Sequence, residues 1–515
     1  MKSFCRDPKL LRRGVTRHSH QVAARQGSSA EDSSWKEKGL AKIRIPSALV
    51  LFAALLSLAG AVEAKKLNVL FIISDDLTST ALGCYGNRVC RTPNIDTLAT
   101  QGTRFTRAYC QATFCGPSRA SLLFGYYPYA TKANGYTSGR EKVGPDKDSW
   151  PQYFRRNGYH SARVSKVFHM GVPTDITKGG DGADDPASWD EKFNSRGPET
   201  WAPGKGETLQ DNPDGTKKLA GGNRFVVVEA EGDDLIHSDG KTAQKTIELI
   251  HRYKDLDKPF FLAVGFVRPH VPFVAPKKYF DLYEPGDMVL PPKIPGDQDD
   301  IPLNSANRRT TANYSMNLFQ QKKLVAGYYA SVTYMDAMVG KVLEALEKSG
   351  QRDETIVIFT SDHGYHLGEH DMWSKVSVHK ESAQVPLIIS VPGKKPAVCH
   401  SFAELLDLYP TVSQLCGLKV PANIQGKDIS PILDDPSVKV RDVVLCSGKG
   451  RLLRTEKWAF LDYGKDGELY DMEKDPRQYV NLINDPECAK TLADLRAKLK
   501  AKLSEIGEND LGAKR

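Results

Sequence analysis

Two acid-bearing segments and one cysteine are where this chain of 515 residues could do chemistry. Asp75-Asp76 follows the apolar run LNVLFIIS (67–74), and Asp362-His363 follows TIVIFTS (355–361). If both runs are strands of an open α/β sheet, their carboxyl ends are where ligands bind. Neighbouring carboxylates there repel each other unless positive charge intervenes, and oxygen ligands suit Ca²⁺ or Mg²⁺. His363 fits such a set less well, because imidazole favours a softer metal. The competing reading is that each Asp merely caps the turn or helix that follows. Two such ends in one chain favour metal.

Cys115 stands in QATFCGPSRASLLFG. Pro117 suits a first helical turn and Ser118–Leu123 can continue it, so Cys115 falls at a helix N-terminus. Free N–H groups and the helix dipole stabilise a thiolate or an oxyanion there, and Arg119 adds a cation one turn on. This is an activated cysteine or an anion cradle; a disulfide with Cys110, Cys84 or Cys90 is the alternative in an exported protein.

The elements that must hold these residues read as α/β. Short β-rich runs (67–74, 260–267, 355–361 and 385–391) alternate with helical patterns, which predicts a sheet with parallel strands. Apolar positions at helical spacing from about Lys322 to Lys348 predict a helix stopped by Gly350. Residues 171–222 are rich in Gly, Asp, Pro and Ser, and read as loops that shape a substrate site. After about Pro436 come shorter strands (VVLCS, KWAFLDY), a turn-rich GELYDMEKDP and a charged terminal helix, which read as a smaller α+β subdomain. The expected division is 1–64, a catalytic domain at 65–436, and 437–515.

Residues 1–44 hold eleven Lys/Arg against four acids, and an uncharged run, IPSALVLFAALLSLAGAV, follows at 45–62. A positive flank, an apolar core and small residues at Val62 and Ala64 predict a secretory signal peptide, with a membrane anchor as the alternative. The mature protein is then secreted or periplasmic, with no span left. The formal net charge of +8 falls to about +2 once residues 1–64 leave, so the basicity belongs to targeting and gives no ground for a nucleic-acid partner. At 40% hydrophobic and 26% charged residues, disorder and collagen-like fibres are excluded, and nine scattered cysteines make no disulfide scaffold.

Cys115-Gly116-Pro117-Ser118-Arg119 resembles the Cys-x-Pro-Ser-Arg signature of the type I, formylglycine-dependent sulfatases. LLFGYYP is similar to that family's Leu-Thr-Gly-x-x-Pro stretch, with Phe124 where Thr is usual. NVLFIISDDL, GCYGN, TPNIDTLA, SKVFH, FFLAVGFVRPHVPF, TSDHGYHLGEHDMWSK and ELYDMEKDP follow in the family's order, and the combination is most similar to the iduronate-2-sulfatase branch.

The resemblance implies an alkaline-phosphatase-like α/β sandwich, with a large mostly parallel sheet flanked by helices and a smaller C-terminal subdomain. It implies that a separate maturation enzyme oxidises Cys115 to formylglycine, whose hydrate attacks sulfur in the ester. Asp75, Asp76, Asp362, His363 and residue 115 would hold Ca²⁺, with Mn²⁺ or Mg²⁺ as alternatives. Arg119 and Lys166 would hold the hydrate and its charge, and His169 would be the base. His270 would bind sulfate or protonate the leaving alcohol, and Lys375 would contact the same sulfate. His366 and His370 read as structural, and Arg268 receives no role. The expected substrate is a sulfated carbohydrate, most simply an anionic glycan met by loop cations such as Lys178, Arg196 and Lys205. Two alternatives are a phosphonate monoester hydrolase or phosphodiesterase of the same superfamily, and an inactive sulfated-glycan-binding protein. A third is a plain cysteine hydrolase.

Overall fold

The computed structural model describes residues 66–210, 224–302 and 310–511. The segment 1–64, read as a signal peptide, lies outside the described residues. The described residues form one compact unit.

Its centre is a nine-stranded sheet. In chain order the strands are β1 (Asn68–Asp75), β2 (Thr103–Tyr109), β3 (His160–Ser165), β4 (Glu191–Phe193) and β5 (Phe260–Pro269), then β6 (Thr355–Ser361), β7 (Gln384–Ser390), β8 (Ala397–Cys399) and the short β9 (Ala403–Glu404). Their spatial order is β8-β2-β7-β6-β1-β5-β3-β4, with β9 alongside β2. Only β7 runs against its neighbours; every other pairing is parallel. All eight residues of β1 are buried. Val69, Phe71 and Ile73 enter one core and Leu70 and Ile72 the other, so both faces are covered and the run reads as continuously apolar.

Helices flank both faces. The predicted 322–348 helix is α3 (Leu318–Lys348), begun by a capping box between Asn317 and Gln320. Its apolar side packs with Leu70 and Ile72, as does that of α2 (Ser238–Tyr253). On the opposite face lies α1 (Cys115–Phe124), whose ten residues are all buried.

Residues 171–222 are less loop-like than expected. They supply β4, the edge strand beside β3, and a strand at Gly204–Thr208 that joins Val226–Ala230 and Phe273–Pro276 in a small separate sheet. Strands of three to five residues on an edge need few apolar side chains, so the polar composition concealed them.

The C-terminal part is an antiparallel sheet, β10 (Val443–Ser447), β11 (Arg451–Thr455), β12 (Trp458–Asp462) and β13 (Gly467–Asp471), with helix α4 (Ala489–Gly507). Leu445, Leu453, Phe460 and Leu469 pack against Leu492, Leu495 and Leu499 of α4, and share that core with Tyr127 and Leu406. Among the described residues no helix is long and apolar enough to cross a membrane.

Candidate functional site

The sheet order assembles the site. Strands β6, β1, β5 and β3 are consecutive parallel neighbours. Ser74 pairs with Ser361, Asp75 with Pro269, and Ser165 with Gly265. Asp362-His363, Asp75-Asp76, His270 and Lys166 therefore leave four adjacent strands at the same edge, the ligand-binding edge of such sheets. Gly265 is required for this: a Cβ there would lie 2.0 Å from the backbone oxygen of Lys166. Asp76 (φ 64°) and Ser165 (φ 60°) turn the chain in left-handed backbone, strain typical of functional sites.

Helix α1 brings residue 115 to that edge. Ser118 Oγ donates to the backbone oxygen of Asp362 at 2.5 Å. Arg119 is wholly buried: Nε donates to Asp362 Oδ2 at 2.9 Å, one terminal nitrogen donates to the backbone oxygens of Lys166 (2.6 Å) and Val167 (2.9 Å), and the other lies 3.3 Å from Asp75 Oδ1. Arg119 thus ties the helix to three strand ends as well as supplying charge.

Asp75, Asp76, Cys115 and His363 present ligand atoms that all lie within 4.8 Å of one another. Cys115 Sγ is 3.3 Å from His363 Nε2, which is itself 3.3 Å from Asp76 Oδ1. The Nδ1–H of His363 donates to the backbone oxygen of Gly364 at 3.0 Å, so in the neutral ring the Nε2 lone pair faces the cluster. Both oxygens of Asp75 and Oδ2 of Asp76 are buried and accept no hydrogen bond, although Lys166 and Arg119 stand against Asp75 as ion-pair partners. These donors fit a divalent cation. Asp362 borders the group without joining it: its carboxylate accepts from Arg119 and from the backbone N–H groups of Asp76 (3.2 Å) and His363 (3.0 Å), with Oδ2 3.7 Å from His363 Nε2.

Charge is tightly balanced. Lys166 pairs with Asp75, while Lys375 Nζ lies 2.6 Å from Asp76 Oδ1 and 3.1 Å from Cys115 Sγ. Burial opposes ionisation of Asp75, yet Lys166, His270, Arg119 and Lys375 hold it well below the usual carboxylate range. Burial dominates at Asp76 and, with Asp75 and Cys115 nearby, pushes it up to about 7 against Lys375 and His363. The thiol of Cys115 is lowered: burial opposes this, but Lys375 and His363 prevail. His363 is pushed up to about 10, because Asp362 and Cys115 outweigh burial. Surroundings that hold a proton on His363 also favour a cation in its place.

A cleft of about 620 Å³ opens onto this cluster, lined by Cys115, Lys375, His169 and His270 together with Phe114 and Tyr136. Burial, with Lys166 close by, brings His169 down to about 3, so it is neutral near pH 7. Tyr136, 67% exposed, stacks on His169 with ring centroids 4.6 Å apart. His270 Nε2 lies 3.8 Å from Asp76 Oδ2, and its Nδ1 donates to the backbone oxygen of Val271 at 2.5 Å. Burial and Lys375 hold His270 well below its ordinary value. Bare at Nε2, it accepts a proton before it can donate one to a leaving alcohol.

All ten predicted site residues therefore converge at one edge. Sequence reasoning missed Tyr136, whose only signal is an aromatic between Gly135 and Gly139. It also missed the support of His270. Arg268, given no role, donates to the backbone oxygen of His270 at 2.9 Å and pairs with Glu199, while Asp239 accepts from the N–H groups of Val267 (2.8 Å) and Arg268 (2.9 Å). The loop cations disappoint: the 171–183 loop lines the cleft with Gly171, Val172, Thr174, Asp175, Gly182 and Ala183, and Lys178, Arg196 and Lys205 do not. Arg196 Nε is engaged by the backbone oxygen of Thr177 at 2.7 Å. His366 and His370 are buried away from the cluster, with His370 Nδ1 3.1 Å from Asp297 Oδ2. No disulfide occurs among the described residues, and Cys115 is a free thiol.

A sequence model of the sulfatase family matches residues 67–418, and one described as N-sulphoglucosamine sulphohydrolase, C-terminal, matches 368–505. A protein named sulfatase from Formosa agariphila is 31% identical over 458 residues, 85% of this chain and 87% of its own. Iduronate 2-sulfatase of Homo sapiens is 33% identical over 417 residues, 72% of this chain and 74% of its own. The solved phosphonate monoester hydrolase from Silicibacter pomeroyi shares the alkaline-phosphatase-like fold, with a TM-score of 0.68 at 21% identity over 85% of this chain and 96% of that one. With a family match over most of its length and a site built on Cys115, Arg119 and paired aspartates, the chain belongs to the type I sulfatases, a family of sulfuric ester hydrolases.

Proposed function

We propose that the protein is exported and hydrolyses a sulfate monoester on a carbohydrate. The observation that carries this reading is Lys375 Nζ set between Asp76 Oδ1 and Cys115 Sγ, at the centre of the acid cluster. A thiol hydrolase has no use for that cluster; a site that converts residue 115 to an oxygen nucleophile beside a cation does. Formylglycine at position 115, made by a separate maturation enzyme, would supply the attacking hydroxyl, and Asp75, Asp76, His363 and residue 115, bordered by Asp362, would hold a divalent cation that would polarise the sulfate. Calcium suits the carboxylates; the imidazole keeps manganese, and less so magnesium, as alternatives.

The chain's own side chains then have distinct tasks. Arg119 and Lys166 hold the carboxylates of Asp75 and Asp362 in place and offset their charge. Lys375 places its ammonium against the nucleophile and against sulfate oxygen, where charge develops in the transition state. His169, neutral and lining the cleft, is the base that takes up the proton when sulfate departs. His270 Nε2 meets the sulfate or the leaving oxygen from the end of the neighbouring strand β5. The sugar enters along Tyr136 and Phe114, whose rings line the cleft and offer it stacking contacts.

Two measurements test this. Mass spectrometry of the peptide carrying Cys115, from cells that contain the maturation enzyme, is expected to show the aldehyde; an unmodified thiol in active protein overturns the mechanism. Turnover of 4-nitrophenyl sulfate and of sulfated disaccharides is then compared with that of matched phosphate diesters and phosphonate monoesters. Preference for the phosphorus esters would replace this reading with that of a phosphonate monoester hydrolase, and no turnover of any ester would leave a sulfated-glycan binder.

A further inference from the structure

Lys375 follows a two-residue strand, Trp373–Ser374, paired with His366–Leu367, on backbone that needs further support. Ser374 (φ 76°) and Val376 (φ 90°), on either side of it, are both in left-handed conformations, which a β-branched valine adopts only under constraint. The constraint comes from three directions. Thr113 Oγ1 donates to the backbone oxygen of Val376 at 3.0 Å. Ser377 Oγ accepts from the backbone N–H of His379 at 3.1 Å and lies 2.5 Å from that ring's Nδ1. His379 Nε2 lies 2.8 Å from Oε2 of Glu468, which belongs to β13 of the C-terminal sheet.

Glu468 is fully buried. Tyr470 donates to its Oε2 at 2.5 Å, and His379 is 1% exposed. Strand β10 of the same sheet braces the other side of the site: Thr113 N–H donates to the backbone oxygen of Ser447 at 2.9 Å, and Ser447 N–H to that of Gln111 at 3.0 Å, just ahead of Cys115. The C-terminal sheet therefore grips both chain segments whose side chains meet at 3.1 Å, Cys115 and Lys375.

We propose that Glu468 is a positioning residue for catalysis: through His379 and Ser377 it holds the 374–379 backbone in the conformation that sets Lys375 Nζ between Asp76 and Cys115. Glu468 touches neither substrate nor cation. The inference deepens the sulfatase reading and rests on it for its kinetic test. A carboxylate buried against imidazole fixes orientation more rigidly than a surface pair, since loss of one partner leaves the other without a hydrogen bond.

The test is a double-mutant cycle of Glu468→Ala with Lys375→Met, read as kcat/KM on the ester the wild-type chain hydrolyses fastest. The expected result is a fall of about tenfold or more for Glu468→Ala in the wild-type background, mostly in kcat, and less than about twofold in the Lys375→Met background. Glu468→Gln, which still accepts from His379, is expected to stay within about threefold of wild type. Equal losses in both backgrounds, or no rescue by Gln, would reduce Glu468 to a fold-stabilising group and overturn the proposal. If Glu468→Ala does not fold, His379→Gln enters the cycle in its place. Amide hydrogen exchange gives a readout independent of turnover: faster exchange confined to 374–379 in the variant is expected, and unchanged protection there refutes the proposal. A wild-type chain that hydrolyses no sulfate ester would instead refute the sulfatase reading, with the exchange result still deciding the positioning role.

Discussion

Arg119 Nε lies 2.9 Å from Asp362 Oδ2, and neither side chain has any solvent exposure. The pair joins the helix that begins at Cys115 to the segment just beyond strand β6, where His363 follows.

Breaking this pair from one side should cost far more than a surface ion pair would. Arg119→Met strands Asp362 and Asp75 as buried, less compensated charges, and a loss of about 3–5 kcal/mol is expected. Denaturant unfolding of the purified variant measures it, and a loss below about 1 kcal/mol would mean that the arginine is not structural.

Cation binding should be visible without turnover. Saturating calcium, at about 100 times its Kd, is expected to stabilise the folded chain by about 2.7 kcal/mol, and a chelator to reverse the gain. Differential scanning calorimetry follows the shift, and Asp75→Asn combined with Asp76→Asn should abolish it. A wild-type melting temperature indifferent to calcium, manganese and magnesium alike would remove the metal centre.

Acid should weaken the fold through histidines buried in the neutral form. Burial takes His169 and His366 down to about 3 in the folded chain, so between pH 6.5 and 3 the unfolded state binds protons that the native state refuses. Their contribution is complete above pH 6.5 and is lost as pH falls, by about 1.4 kcal/mol per pH unit for each such group at most. Buried carboxylates raised towards neutrality, Asp76 and Glu369 among them, act in the opposite sense, so the histidine effect is read as a difference: between pH 7 and pH 5 the melting temperature of His366→Phe, which removes one titrating group outside the acid cluster and the cleft lining, should fall less or rise more than that of wild type. A His366→Phe profile parallel to that of wild type would show that this histidine is not buried neutral.

Lys375→Met removes the ammonium between Asp76 and the nucleophile. A fall of about 10²–10³ in kcat is expected, as for loss of one preorganised group facing developing charge. Steady-state kinetics on a sulfate ester tests this; an effect confined to KM would limit Lys375 to substrate binding.

Much of the fold was legible because it is locally encoded. Runs at 67–74, 355–361 and 385–391 became strands within a residue or two, and the helix predicted at 322–348 became α3, lengthened by the Asn317–Gln320 cap. Pro117 placed the start of α1 correctly at Cys115. Weakly apolar edge strands such as β4 were not legible, and neither was the cleft lining, which loop composition alone suggested would be cationic.

The sequence by itself determined which residue types stand at which ends of elements: acids after two apolar runs, cysteine and arginine on a helix's first turn, histidine after a third run. Periodicity and turn chemistry reach only a few residues along the chain, and these features need no more. Tertiary structure alone decided that β6, β1, β5 and β3 lie side by side, so that the carboxylate of Asp362 accepts from the backbone N–H of Asp76, 286 positions away. It alone made Arg119 a structural tie, gave Arg268 a task beneath His270, and hung Lys375 from the C-terminal sheet. Those outcomes follow from how the two cores close around both faces of one sheet, and packing over that range leaves no mark in a local pattern.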